Sequence, residues 1–364
     1  MSTPDEIAKA LGGLGNHDEE STVKNFLSTG YPELDHALSN GWTGSGLPVG
    51  RLVEIYGPES SGKTAIAGQA MIDAQRQGGF AGFNDHERSF QQYLSVGQGL
   101  DPHPGKFNFR KPKTFEDSLS HCISVAEVLR DKKLIAPEAP IAWVFDSLAS
   151  MVPQSAMFDK NGKEKAATDR SMHDNTALAR ATSAHFPAFA QLCDELGICA
   201  IFLNQIRLNI GVVYGNPETT PGGKSPKFYF SQRISLGAKK ITKGDGENAE
   251  VIGSEITAKV IKNKITRPFR RATYRFEFRD DGTGYFNVHR SLIEFLVREK
   301  ILNKAGAYIE WIDGKKYFAG PLAEKLQADP DGLDQLKALL PAVYSPEVIA
   351  EITDTDTGTV SEAA

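Results

Sequence analysis

The chain has 364 residues, 40% of them hydrophobic, and a formal net charge of −5. That length allows two or three domains around at least one large core, and the composition is that of an ordinary globular protein. Net acidity argues only weakly against a nucleic-acid protein, because an overall charge can conceal a local patch.

The first residues, MSTPDEIAKALGG, have neither a cationic start nor a long apolar run. No signal peptide is expected there, no membrane span is expected anywhere, and the expected compartment is the cytoplasm. Residues 4–13 read as a short helix, followed by a polar stretch to Ser21. Residues 1–30 are therefore assigned to an arm and linker rather than to a core. From Arg51 a repeating pattern begins. RLVEIYG is a short apolar strand, and the segment after Lys63 has helical spacing at Ile66, Ala70 and Ala74. GFAGFND, IAWVFDS and GICAIFLNQ are further buried strands, with helical stretches near 114–130 and 176–195. Strands alternating with helices predict an α/β core, with a mostly parallel central sheet covered on both faces. Beyond Arg233, RISLGAKKI, SEITAKVIKN and ATYRFEFRD alternate polar with apolar, as an antiparallel extension would. The core is assigned to residues 31–284. A small C-terminal α/β module follows at 285–344, with a helix near 289–301. The tail, 345–364, carries five acids and no base and is expected to be disordered. Between Lys224 and Arg271 there are twelve Lys/Arg against four Asp/Glu. Such a basic segment ahead of an acidic tail is common in nucleic-acid proteins, although solvated faces show it too. Cys122, Cys193 and Cys199 have no metal-ligand spacing, and Cys193 and Cys199 read as small core hydrophobes.

GPESSGKT, from Gly57 through Pro58, Glu59, Ser60, Ser61, Gly62 and Lys63 to Thr64, satisfies the pattern G-x-x-x-x-G-K-[ST]. A strand precedes it and a helix follows, as a phosphate-binding loop requires. The loop amides and the helix N-terminus would face an anion. Lys63 adds a charge for the β/γ-phosphates, and Thr64 a hydroxyl for Mg²⁺. Asp146 ends the strand IAWVFD, where a second carboxylate would hold Mg²⁺ through water. Alone it would read as a strand cap. Asp85, His86 and Glu87 end another strand, and Glu87 could orient a water toward the γ-phosphate. His86, His121 and His173 are assigned no chemistry.

Asn204 opens NQIRLNIGVVYGNPETTPGGK, which begins as a strand end and then loses its pattern. An isolated segment of this kind would read as a packed surface loop. Its aliphatic residues lack any helical or strand period, however. Arg207 could contact a phosphate, and amides of the IGV and GG stretches could hold others. Ile210 could wedge between stacked bases, which suits sequence-tolerant binding.

Together VEIYGPESSGKT, NQIRLNIGVVYGNPETTPGG and VIKNKITRPFRRATYRF closely resemble the bacterial RecA recombinases. STGYPELDHAL and EKILNKAGAYIEW extend the resemblance over roughly residues 25 to 340, and phage UvsX recombinases are looser relatives. The resemblance implies a RecA-like P-loop ATPase core and a helical homo-oligomeric filament on single-stranded DNA. It also implies ATP and Mg²⁺ as cofactors, pairing with homologous double-stranded DNA, and a part in DNA repair and the SOS response. Lys63 and Thr64 match the phosphate-loop lysine and the metal-binding threonine. Glu87 matches the catalytic glutamate, Asp146 the second metal carboxylate, and Gln205 the glutamine that senses the γ-phosphate. Lys262 and Lys264 match a pair reaching ATP from the neighbouring subunit, although on residues alone they read as a solvated basic strand end. Lys227 and Phe228 match interface residues that relay the ATP state. Tyr93 lies one position from the adenine-stacking tyrosine, and Arg180 matches a DNA-contacting arginine. DNA-binding loops are implied near 155–176 and 206–224, the second with Arg207, Leu208, Asn209, Ile210, Gly211, Val212, Gly222 and Gly223.

The first loop is longer than the family pattern, with the excess in FDKNGKEKAATDRSMHDN. Asp174 and Asn175 stand there in place of the usual His and Met. The longer loop and divergent termini are compatible with a phage-encoded protein acting in the host cytoplasm. The intact set Lys63, Glu87, Asp146 and Gln205 favours a strand-exchange ATPase over a DNA-coating scaffold with vestigial turnover. A hexameric helicase on the same core is disfavoured by the lysine pair and the C-terminal module.

Overall fold

The protein is described from a computed structural model, which covers residue 3, residues 9–10 and residues 22–341, apart from 43, 167–175, 209–217, 224 and 245–248. Most of the helix expected over 4–13, His173, the middle of the expected second DNA loop and the tail therefore lie outside the described residues.

The chain order is β1 (Phe26–Leu27), α1 (Pro32–Ser39), β2 (Leu47–Pro48), β3 (Leu52–Gly57), α2 (Lys63–Arg76), β4 (Phe80–Asp85) and α3 (Gln92–Gly97). Then come β5 (Phe107–Arg110), α4 (Phe115–Asp131), β6 (Ile141–Asp146), α5 (Gln154–Met157), α6 (Ala177–Leu196) and β7 (Ile198–Gln205). They are followed by β8 (Arg207–Leu208), β9 (Glu218–Thr219), α7 (Ser225–Tyr229), β10 (Phe230–Lys243), β11 (Glu250–Asn263), β12 (Arg271–Phe278) and β13 (Gly284–Phe286). The C-terminal part contains α8 (Val288–Arg298), β14 (Lys304–Ala305), β15 (Tyr308–Glu310), β16 (Lys316–Tyr317), α9 (Ala319–Ala328) and α10 (Gly332–Ala338).

Among the described residues, nine strands form one sheet in the order β13-β12-β11-β10-β3-β7-β6-β4-β5. From β10 to β5 every neighbouring pair is parallel. From β10 to β13 every pair is antiparallel. Strand β7 shows why the sequence does this. Its side chains alternate between two cores, with Cys199, Ile201 and Leu203 packed on one face and Ile198, Ala200 and Phe202 on the other. A strand buried on both faces must be apolar almost throughout, and such strands need helical crossovers. Helix α2 fills the first face with Ile66, Ala70 and Ala74, while α4 and α6 fill the second with Phe115, Cys122 and Phe186. All three cysteines are buried free thiols.

Two domain boundaries shift. Leu27 is fully buried and β1 pairs with β2, so ordered packing starts before residue 31. The division at 284/285 falls inside β13, which extends the main sheet to Phe286. Leu292, Leu296, Trp311 and Leu322 belong to the same core as α2, so the C-terminal module is packed onto the sheet rather than set apart. No helix among the described residues is long and apolar enough to cross a membrane.

Candidate nucleotide and DNA site

The motif residues converge at the C-terminal ends of the parallel strands, where open α/β sheets place their ligands. Gly57 ends β3 and the loop turns into α2 at Lys63. Gly62 sits at φ 86°, a left-handed conformation that favours glycine. The Lys63 ammonium donates to Gly57 O at 3.1 Å and Pro58 O at 2.7 Å. Burial pushes its pKa down, against the opposing pull of Asp146, Glu87 and Glu59.

Asp146 and Asp85 end neighbouring strands in register. The carbonyl of Asp146 accepts the amides of His86 at 2.6 Å and Glu87 at 3.1 Å, which locks the turn after β4 against the end of β6. The Asp85 carboxylate accepts the amides of Arg88 at 2.7 Å and Ser89 at 3.3 Å, a structural turn role. His86 meets Ser118 at 2.9 Å and His121 meets Asn84 at 3.0 Å, so both are engaged in local hydrogen bonds. Asp146 differs from Asp85. It is 6% exposed, and its side chain makes no hydrogen bond among the described residues. Burial first, then Glu87 and Asp85, raise its pKa to about 7, while Lys63 lowers it. A buried carboxylate without a donor among the described residues, lining one cleft with Thr64, fits a divalent cation.

Glu87 and Gln205 are joined directly, with Gln205 Nε2 donating to Glu87 Oε1 at 3.0 Å. Ser147 Oγ also donates to that oxygen. Gln205 is the exposed last residue of β7 and stands opposite Gly57 in the ladder. The water-orienting candidate, the phosphate loop and the start of the second loop therefore meet at one point.

A cleft of about 400 Å³ adjoins the phosphate loop, lined in part by Thr64, Leu94, Asp146, Ile256, Phe276 and Phe278. Tyr93, assigned to adenine from sequence, is 58% exposed on α3 and is not among the residues lining the cleft. Phe278, 49% exposed at the end of β12, does line it, and only tertiary structure brings it there.

The second loop is less formless than its sequence. Its two feet pair as β8 and β9, with Arg207 opposite Thr219 and Leu208 opposite Glu218. Asn209, Ile210, Gly211 and Val212 lie outside the described residues, and the side chain of Leu208 is not described. The returning strand is tied down by Asn204, which donates to Glu54 Oε1 at 2.8 Å and Pro221 O at 3.2 Å. Buried Glu54 also accepts from Arg233 Nε at 2.5 Å, and Arg233 reaches Thr220 Oγ1 at 3.3 Å. The Gly222 carbonyl accepts Thr182 Oγ1 at 3.1 Å, and a Cβ on Gly223 would lie 2.8 Å from Ala179. The loop's end thus rests on the first turns of α6, beside Arg180.

Part of the longer first loop is a tight hairpin, with Phe158 bridged to Glu164. The Asp159 side chain holds the turn by accepting the amides of Asn161 at 2.8 Å and Lys163 at 2.9 Å. Asp174 and Asn175 lie outside the described residues.

Lys262 and Lys264 gather elsewhere, with Lys227 and Phe228. Lys262 Nζ donates to Lys227 O at 2.5 Å and Phe228 O at 3.0 Å, and Lys264 Nζ to Phe228 O at 3.0 Å. Burial, then Lys264 and Arg233, lower the Lys262 pKa to about 8. This cluster sits level with the start of β3, because Lys264 N bonds to Ser231 O and Phe230 pairs with Leu52. Five residue steps, about 17 Å of strand, separate that level from Gly57. Phe228, whose carbonyl accepts two of these bonds, is 72% exposed.

The phosphate loop, Glu87 and Gln205 all fall within the span matched by one family model. The model of the RecA N-terminal domain matches residues 7–282, and the chain belongs to the RecA family.

Proposed function

We propose that the protein is an ATP-dependent recombination protein that assembles as a helical filament on single-stranded DNA and catalyses homologous pairing and strand exchange. The observation that carries this reading is the Gln205–Glu87 hydrogen bond at the root of the second loop. One residue touches the water-orienting carboxylate and leads directly into the loop assigned to DNA. DNA engaging Arg207 and the residues beyond would pull on Gln205, and so link DNA contact to hydrolysis.

Lys63 and the loop amides hold the β/γ-phosphates, and Glu87 orients the attacking water and accepts its proton. Thr64 and Asp146 would hold Mg²⁺, which would supply positive charge to the transferring phosphoryl group. Lys262 and Lys264 act on the ATP of a neighbouring subunit, since their amines bond the carbonyls of Lys227 and Phe228, about 17 Å of strand from their own phosphate loop. Arg180, Arg207 and the loop amides take DNA phosphates. Activity in a host or bacterial cytoplasm fits this reading.

The test is ATP hydrolysis with and without single-stranded DNA, alongside electron microscopy of the DNA complex with a non-hydrolysable ATP analogue. Stimulated turnover and regular filaments are expected. Turnover indifferent to DNA, with particles that do not extend along it, would overturn the reading.

A further inference from the structure

The two oxygens of the Glu87 carboxylate are held differently. Oε1 accepts from Ser147 Oγ, from Gln205 Nε2 at 3.0 Å and, at the weak distance of 3.4 Å, from Ser150 Oγ. Among the described residues no hydrogen bond reaches Oε2. The donors also differ in freedom. Gln205 is exposed, and β7 ends with it. Ser147 is 1% exposed, and its carbonyl accepts the Ser150 amide at 2.9 Å in the turn that follows β6. The residue before it, Asp146, holds the backbone amides of His86 and Glu87. Residues 146 and 147 thus fix Glu87 by both main chain and side chain.

We infer that Ser147 is a positioning residue for hydrolysis, anchoring Oε1 so that Oε2 faces the attacking water. This rests on the proposed role of Glu87. In the step itself the water oxygen bonds to the γ-phosphorus and the bond to the bridging oxygen of ADP breaks. The water's proton passes to Oε2. When DNA draws Gln205 away, Ser147 still holds Oε1, so the carboxylate keeps its aim while its movable donor is gone. A general base gains most from such fixed geometry, because small misplacements are costly in rate. The plainer alternative is a buried hydroxyl that merely satisfies itself on the nearest acceptor. That alternative predicts the same loss on removal whatever stands at position 87.

The test uses the full chain with Mg²⁺, ATP and single-stranded DNA, and compares Ser147→Ala, Ser147→Thr, Glu87→Gln and the Ser147→Ala/Glu87→Gln double variant. Ser147→Ala should lower kcat about tenfold, the scale of one hydrogen bond to a charged group, with nucleotide affinity unchanged. Ser147→Thr, which keeps the hydroxyl, should recover most of it. In the Glu87→Gln background, removing the hydroxyl should change turnover less than about twofold, because coupled residues are not additive. An equal loss in both backgrounds, or weaker nucleotide binding at unchanged kcat, overturns the inference while leaving Glu87 in place. Normal turnover in Glu87→Gln removes the base itself and this inference with it. Should the threonine variant not fold, the alanine cycle decides alone.

Discussion

Removing the amines of Lys262 and Lys264 separates a local role from a role in the next subunit. Within the chain they make three hydrogen bonds to the carbonyls of Lys227 and Phe228, which end the short helix α7. Lys264 is exposed and Lys262 half-buried. Bonds at such positions contribute about 0.5 kcal/mol each, so Lys262→Ala/Lys264→Ala should cost about 1–2 kcal/mol of stability. If their main work is on a neighbour's ATP, turnover should fall far more, on the order of 10³-fold, as for a trans-acting cation. The assay mixes this double variant with Lys63→Ala, each inactive alone. Mixed filaments contain interfaces with an intact phosphate loop on one side and intact lysines on the other. About a quarter of random interfaces would be of this kind, and hydrolysis should return on that scale. Co-assembly confirmed by fluorescence transfer, with no hydrolysis above the sum of the parts, would refute the trans role and leave the lysines as caps of α7.

Three further outcomes follow from the site. Lys63→Ala removes the cationic side chain of the phosphate loop, and titration with a fluorescent ATP analogue should show affinity reduced at least about tenfold. Gln205→Ala should leave ATP bound and DNA-free turnover in place but abolish stimulation by single-stranded DNA, read by comparing kcat with and without DNA. His36 is stacked on Trp42 with ring centroids 4.0 Å apart, and burial, then Arg270 and Arg267, lower its pKa to about 4. A depressed histidine adds stability that is present above its unfolded value near 6.5 and lost as pH falls through about 4. Urea denaturation of His36→Gln should therefore show a shallower loss of stability between those pH values than the parent protein.

The legible parts of the fold were those in which burial writes itself into sequence. Strands β3, β6 and β7 are covered on both faces, so each is an almost continuous apolar run, interrupted in β3 by Glu54, and the phosphate loop advertises its turn through glycines. The two-residue feet of the second loop were not legible, because pairs such as Arg207 with Thr219 carry no period. The Asp159 turn was hidden in a charged stretch for a similar reason, since one side chain rather than a pattern holds it. Tyr93 is placed by resemblance, whereas Phe278 reaches the cleft beside the phosphate loop from β12, at a sequence distance no motif spans. The lysine pair looked like a solvated strand end, and its contact with α7 exists only once β11 is laid beside β10. Site chemistry was legible as residue types. The joining of Gln205 to one particular oxygen of Glu87 required the registers of β7 on β6 and of β6 on β4.

The most direct test of a recombination role is strand exchange between circular single-stranded DNA and linear duplex, with ATP and Mg²⁺, followed by gel electrophoresis. Joint molecules and then nicked circles should appear only with homologous duplex, and not with the Lys63→Ala protein. Filaments that coat the DNA and hydrolyse ATP, yet never exchange homologous strands, would contradict the account and make the protein a scaffold on the same fold.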